Sequence, residues 1–167
     1  MSQMIEFPNE DAKWAWVAGF FEGEGCLHIS PVGKNGFYSQ IVITSGVKEN
    51  LEVVRQITGG RIYLHKEHRG NRHLYYSLRL TKRSEQQEFI SKIKPFLAGK
   101  REQAELMDEF LNQKAIIGRP FKHPEIERRR EIHQQIKMLH ARRNPRFDKK
   151  RNWLKPIKLT EPLPRKP

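Results

Sequence analysis

Cysteine is nearly absent from the 167 residues: the only one is Cys26, so no intrachain disulfide can form and a thiolate-rich zinc cluster is excluded. Long apolar runs are missing as well. No stretch approaches the ~20 residues of a membrane-spanning helix, and 31% charged residues with a mean hydropathy of −0.78 are too polar for a membrane protein. The opening residues, MSQMIEFPNEDAK, show neither a basic start before an apolar stretch nor an Arg- and Ser-rich, acid-poor leader. We therefore expect no secretion or transit signal. Acids are scarce in one region only. Residues 1–113 carry 15 Lys/Arg against 14 Asp/Glu, whereas residues 114–167 carry 17 against 5. Almost all of the net charge of +13 thus lies in the tail, which points to a polyanionic partner, most commonly nucleic acid.

These contrasts predict a core domain over residues 1–113 and a basic C-terminal extension over 114–167. Within the core, the apolar period alternates between 3.6 and 2. Asp11 or Asn9 is placed to cap a helix over AKWAWVAGFFEGE, with Gly25 where the chain turns. The segment CLHIS then alternates, Leu27 and Ile29 inward. After a turn carrying Lys34, FYSQIVITS places Phe37, Ile41 and Ile43 on one face. Helical spacing returns in VKENLEVVRQI, with Leu51, Val54 and Ile57 as its stripe and Gly59 and Gly60 ending it. Two more strands follow, RIYLHKE with Ile62 and Leu64 inward, and RHLYYSLRL with Leu74, Tyr76, Leu78 and Leu80 inward. Helices over SEQQEFISKIKPFL, capped by Ser84, and KREQAELMDEFL close the core. The plan is α+β: an αββαββα core in which a four-stranded antiparallel sheet has helices on one face.

The other face of that sheet would display His28, Ser30, Tyr38, Gln40, Arg61, Tyr63, His65, Arg72, Tyr75, Ser77 and Arg79. It has no carboxylate at these positions. A solvated face usually mixes Glu with Lys and Thr, whereas hydrogen-bonding side chains, tyrosines and arginines suit base edges and phosphates. Together with Lys34 these are the expected DNA contacts.

In the first helix, Ala15, Gly19 and Gly23 recur every four residues, a row of small side chains that lets another helix approach closely. Two glycines inside a helix cost about 1 kcal/mol each relative to alanine, so the row implies a packing role. Glu22 and Glu24 stand near the helix C-terminus, where the macrodipole disfavours negative charge. Acids there call for a cation, and hard carboxylate oxygens suit magnesium.

Residues 17–25, VAGFFEGEG, closely resemble the LAGLIDADG motif of homing endonucleases: the pair Ala18–Gly19, two apolar positions, an acid, a small residue, a second acid and a glycine. With the order of elements over residues 11–113, the chain is similar to that family across about two thirds of its length. The resemblance implies that two motif helices pack side by side at a twofold axis, through Ala15, Gly19, Gly23 and Glu22. Each delivers its second acid, here Glu24 with Gly23 beside it, to a divalent-metal site. The implied cofactor is Mg2+, with Mn2+ or Ca2+ able to substitute, and the implied reaction is hydrolysis of both strands of duplex DNA. Glutamate at both acid positions departs from the name motif but supplies the same carboxylate. In KPFLAGK, Lys100 matches a lysine placed near the scissile phosphate; Ser45 and Lys48 match positions that order water and charge around it. One motif copy builds only half of such a centre, so a homodimer on a long pseudo-palindromic site is expected.

Beyond residue 113, PEIERRREIHQQIKMLHARRN predicts a helix with Pro124 in its first turn and Ile132, Ile136 and Leu139 as a narrow stripe for docking on the core. GRP between Lys114 and Lys122 has the form of a minor-groove hook or a plain turn. The remainder is basic and proline-rich, an arm suited to a DNA backbone. His123, His133 and His140 lack metal-ligand spacing and are expected at the surface or on phosphates. The alternatives are an intron maturase that binds RNA, or a non-cleaving DNA-binding protein of the same fold. The host compartment is expected to be an organelle, chloroplast or mitochondrion, or a prokaryotic cytoplasm.

Overall fold

Asn9 starts the first helix. Its extended backbone and its side-chain oxygen, which accepts from the Ala12 amide at 2.8 Å, satisfy one of the free N–H groups of α1, Glu10–Glu24. Asp11, the other expected cap, instead lies within the first turn, where its charge suits the helix N-terminus. The computed structural model describes residues 5–66, 74–113 and 123–143. Over these, α1 is followed by β1 (Gly25–Val32), β2 (Gly36–Ser45), α2 (Lys48–Thr58), β3 (Arg61–Lys66) and β4 (Leu74–Leu80). Then come α3 (Arg83–Ile93), a 3-10 turn at Lys94–Phe96, α4 (Arg101–Asn112) and α5 (His123–Arg143).

The strands pair antiparallel in the order β1-β2-β4-β3. Leu27, Ile29, Ile41, Ile43, Leu78 and Leu80 turn to the helices and are buried. Against them pack Trp14, Val17 and Phe21 of α1, Leu51 and Val54 of α2, Phe89, Ile90 and Ile93 of α3, and Met107 and Phe110 of α4. Phe21 and Phe89 meet edge to face at 5.3 Å, an arrangement that adds about 1 kcal/mol to their burial. Gln86 of α3, fully buried, donates to the carbonyls of Ser39 and Leu80 and accepts from the Ser39 hydroxyl, which fixes α3 across β2 and β4.

Helix α5 buries Ile132 and Ile136 in this same core, and its Arg128 forks onto both oxygens of Glu109 on α4 at 2.6 and 2.7 Å. That pairing holds the Glu109 carboxyl below its ordinary range. Two expectations need adjustment. Ser84 lies inside α3, whose N-cap is Lys82 without a side-chain bond. Leu64 and Leu74 share the helix-side face but are 52% and 51% exposed, because alternation fixes a face and not what covers it. The GRP segment, Arg72 and the arm after Arg143 lie outside the described residues. No helix among the described residues is long and apolar enough to cross a membrane.

Candidate functional site

Helix α1 runs straight into β1: Glu24 is its last residue and Gly25, whose amide bonds the Phe21 carbonyl, is the first of the strand. A Cβ at Gly25 would overlap the Phe21 ring, so the junction requires a residue without a side chain. No basic residue occupies the last turn of α1. The cation comes from residue 100. The Lys100 ammonium, on a residue only 7% exposed, donates to the carbonyls of Phe21, Glu22 and Gly25 at 2.7, 2.7 and 2.6 Å. In return the Glu22 carboxylate accepts from the backbone amides of Ala98 and Lys100 at 3.0 and 2.9 Å. Two tethers of opposite polarity thus tie the end of α1 to the segment before α4.

The two acids of the motif are therefore unlike. Glu22 is engaged within its own chain, by the amides of Ala98 and Lys100. Glu24 is exposed, and its carboxylate has no hydrogen bond or ion pair among the described residues; only its backbone carbonyl is engaged, by the Thr44 hydroxyl at 3.4 Å. The compensating cation sought at this helix end is supplied by Lys100, which has its ammonium on three carbonyls and not at an exposed position beside Glu24.

Ala15, Gly19 and Gly23 are all exposed along one side of α1, and a Cβ at either glycine would meet nothing within 4 Å. The row is open among the described residues. Ser45, at the end of β2, accepts from the Val47 amide at 3.0 Å, and Lys48 pairs with Glu52 at 3.3 Å. Both side chains thereby organise the entry to α2. Among the described residues no three His, Cys, Asp or Glu converge as a metal-binding group. The Glu24 carboxylate is a hard, accessible oxygen donor that fits a divalent cation, as one ligand of a set the described residues do not complete.

The strand register brings the expected outer-face residues together. His28 lies opposite Gln40, Ser30 opposite Tyr38, Arg61 opposite Arg79, Tyr63 opposite Ser77 and His65 opposite Tyr75. Tyr38 donates to Gln40 at 3.1 Å, and Arg79 sits 5.1 Å from the centre of the Tyr63 ring. Lys34 is exposed in the β1–β2 turn. Two residues differ from expectation. Ser77 is 1% exposed and lies beneath its neighbours. His28 is half-buried, with the ring of His140 6.0 Å away; burial, and then the charge of Arg79, hold its pKa below the ordinary histidine value. His140, expected at the surface or on phosphates, is instead part-buried, 3.6 Å from the Cys26 sulfur and beside His28, and the bond from Thr44 to the Glu24 carbonyl was not anticipated. His140 comes 114 positions after Cys26, and no local pattern signals such a contact.

No family model matches this chain, and no curated protein does. Solved structures match. An archaeal intron-encoded homing endonuclease, I-Vdi141I, complexed with DNA, superposes with a TM-score of 0.64 at 22% identity, over 78% of this chain and 86% of that one. The homing endonuclease I-CvuI, in complex with its target in the presence of calcium, gives 0.60 at 19% identity over 78% and 83%. I-TnaI, also a homing endonuclease, gives 0.55 at 22% over 83% and 99%. At these identities the common property is the fold: this chain has the α+β fold of the LAGLIDADG homing endonucleases.

Proposed function

We propose that the protein is a divalent-metal-dependent, site-specific endonuclease of double-stranded DNA that works as a homodimer. The observation that carries this reading is the contrast at the end of α1: Glu22 and Lys100 are spent on holding the helix, and Glu24 is left exposed, its carboxylate unengaged among the described residues. The open row of Ala15, Gly19 and Gly23 leads to it and suits close approach of a second α1. Two copies meeting there bring two Glu24 carboxylates to one axis. The sheet faces then lie on either side, each reading half of a site.

A divalent ion held at Glu24 supplies charge stabilisation to the phosphodiester and acidity to water. The chain's own contribution is placement. The Lys100 ammonium and the Glu22 carboxylate prevent the last turn of α1 from fraying, and the Thr44 hydroxyl ties the Glu24 carbonyl to β2. In this reading Lys100 is a positioning residue. The basic extension adds phosphate contacts that raise affinity without selecting sequence. That solved structures of the same fold are in complex with DNA, two of them in the presence of calcium or magnesium, supports the reading.

The test is cleavage of a plasmid library by the wild type and Glu24→Gln, with magnesium present. We expect Glu24→Gln to retain DNA binding and lose cleavage by roughly a hundredfold or more. Equal cleavage by both proteins, or none by either, defeats the assignment.

A further inference from the structure

The outer face of β3 and β4 carries a hydrogen-bonded cluster whose polarity can be worked out atom by atom. At its centre the buried Ser77 hydroxyl meets two groups, Nε2 of His65 at 2.7 Å and Nε of Arg79 at 3.3 Å. The Arg79 Nε–H can only donate, so it occupies a lone pair of Oγ. The hydroxyl proton still needs an acceptor, and leaving it unpaired costs about 1–3 kcal/mol. His65 Nε2 is the acceptor in reach among the described residues. Ser77 therefore donates to His65, and the neutral imidazole carries its own hydrogen on Nδ1.

The surroundings fix both partners in place. The His65 ring stacks on Tyr75 at 4.9 Å and 15°, and the Arg79 guanidinium lies against the Tyr63 ring. After these contacts, the imidazole and guanidinium groups still without a partner among the described residues are Nδ1–H of His65 and the two terminal amino groups of Arg79. All of them are donors. In the major groove adenine and cytosine each present an amino donor, and thymine sets one acceptor beside a methyl group. Guanine presents two adjacent acceptors, N7 and O6.

We propose that this cluster reads guanine, with Arg79 and His65 touching the base and Ser77 acting beneath them as the residue that sets their donor polarity. The proposal rests on the DNA-binding function above. Phosphate oxygens share the acceptor chemistry, and the experiment separates the two.

The full chain is used to select duplexes from a randomised library, with calcium in place of magnesium to retain intact DNA. Guanine should be enriched at a fixed position of each half-site. Replacing that guanine by 7-deazaguanine should weaken binding about tenfold, within the range for a bidentate base contact. Arg79→Gln should lose the guanine preference about tenfold, its affinity for guanine-bearing duplex falling more than that for generic duplex. Ser77→Ala should convert the His65 ring from a single Nδ1–H form to a tautomer mixture by long-range 1H–15N correlation, and relax the guanine preference about threefold. Enrichment with no guanine at the position Arg79 controls overturns the proposal, as does an Arg79→Gln loss equal for all sequences, the mark of a phosphate contact. An Nε2–H form in the wild type also overturns it. Failure to enrich any duplex defeats the DNA-binding reading itself, and the guanine assignment with it.

Discussion

Replacing Lys100 by methionine separates a lysine that holds a helix from one that acts on phosphate. Methionine keeps the length and apolar stem but removes the ammonium from three carbonyls at 2.6 to 2.7 Å. The bonds to Phe21 and Gly25 are buried, whereas the Glu22 carbonyl is near enough to the surface for water to replace the lysine. The Phe21 carbonyl keeps the Gly25 amide, whereas the Gly25 carbonyl loses a buried partner at a cost of about 1–3 kcal/mol. Loss of the second bond to Phe21 and release from dehydrating an ammonium partly cancel, for a net destabilisation of about 2 kcal/mol. At roughly 3 °C per kcal/mol for a domain of this size, thermal unfolding followed by circular dichroism should fall by roughly 6 °C. Lys100→Arg should lose about half as much, since a planar fork cannot direct hydrogens onto three converging oxygens. Cleavage should fall with the order of the helix end, and the pH profile of what remains should be unchanged. A methionine variant that melts within about 2 °C of wild type and yet cuts no DNA would show that the ammonium acts in the chemistry, and the positioning argument would be wrong.

Gly25→Ala should destabilise the core by about 1–3 kcal/mol, read as a lower urea midpoint at constant slope, because its methyl overlaps the buried Phe21 ring. Gly19→Leu should stabilise the isolated protomer by several tenths of a kcal/mol or more, since leucine is the better helix former and the site is open. It should nonetheless give monomers in analytical ultracentrifugation and abolish cleavage; a cleaving dimer would refute the α1 interface. His28 and His133 are both held below the ordinary value near 6.5, His28 by burial and then Arg79, His133 by burial and then Lys137. The unfolded chain therefore takes up protons first, so their contribution to stability is full above pH ~6.5 and is lost as pH falls from there toward the depressed folded values. The urea midpoint should drop between pH 7.5 and about 5.5, less so in a His28→Gln/His133→Gln variant; a rise on acidification would contradict the assignment.

Strand alternation made the outer face legible in the sequence, because period-2 sorting needs only local information: every outward residue named on the described strands shares one side of the sheet. The small-residue row of α1 was legible for the same reason, four-residue spacing being a local property. The partners of those residues were not. Lys100 reaches carbonyls 75 to 79 positions earlier, and nothing in KPFLAGK distinguishes a lysine that caps another helix from one that faces solvent. Ser77 was correctly placed on its face and misjudged in depth, since a serine between a histidine and an arginine sinks only once both larger side chains close over it. Ser84 was misread as a cap because a serine ahead of a helical stretch suits either the cap or the first turn.

The junction of α1 and β1 has no intervening residue. A hinge normally absorbs misfit between an assembly contact and a recognition surface, and none is provided here. In a pair docked through α1, the crossing angle of the two helices is passed undamped to the two sheets, and with it the number of base pairs separating the halves of the target. Under the proposed function, such a pair could change which bases it prefers by altering strand side chains one at a time. It cannot change the spacing of its target without rebuilding the contact between its protomers.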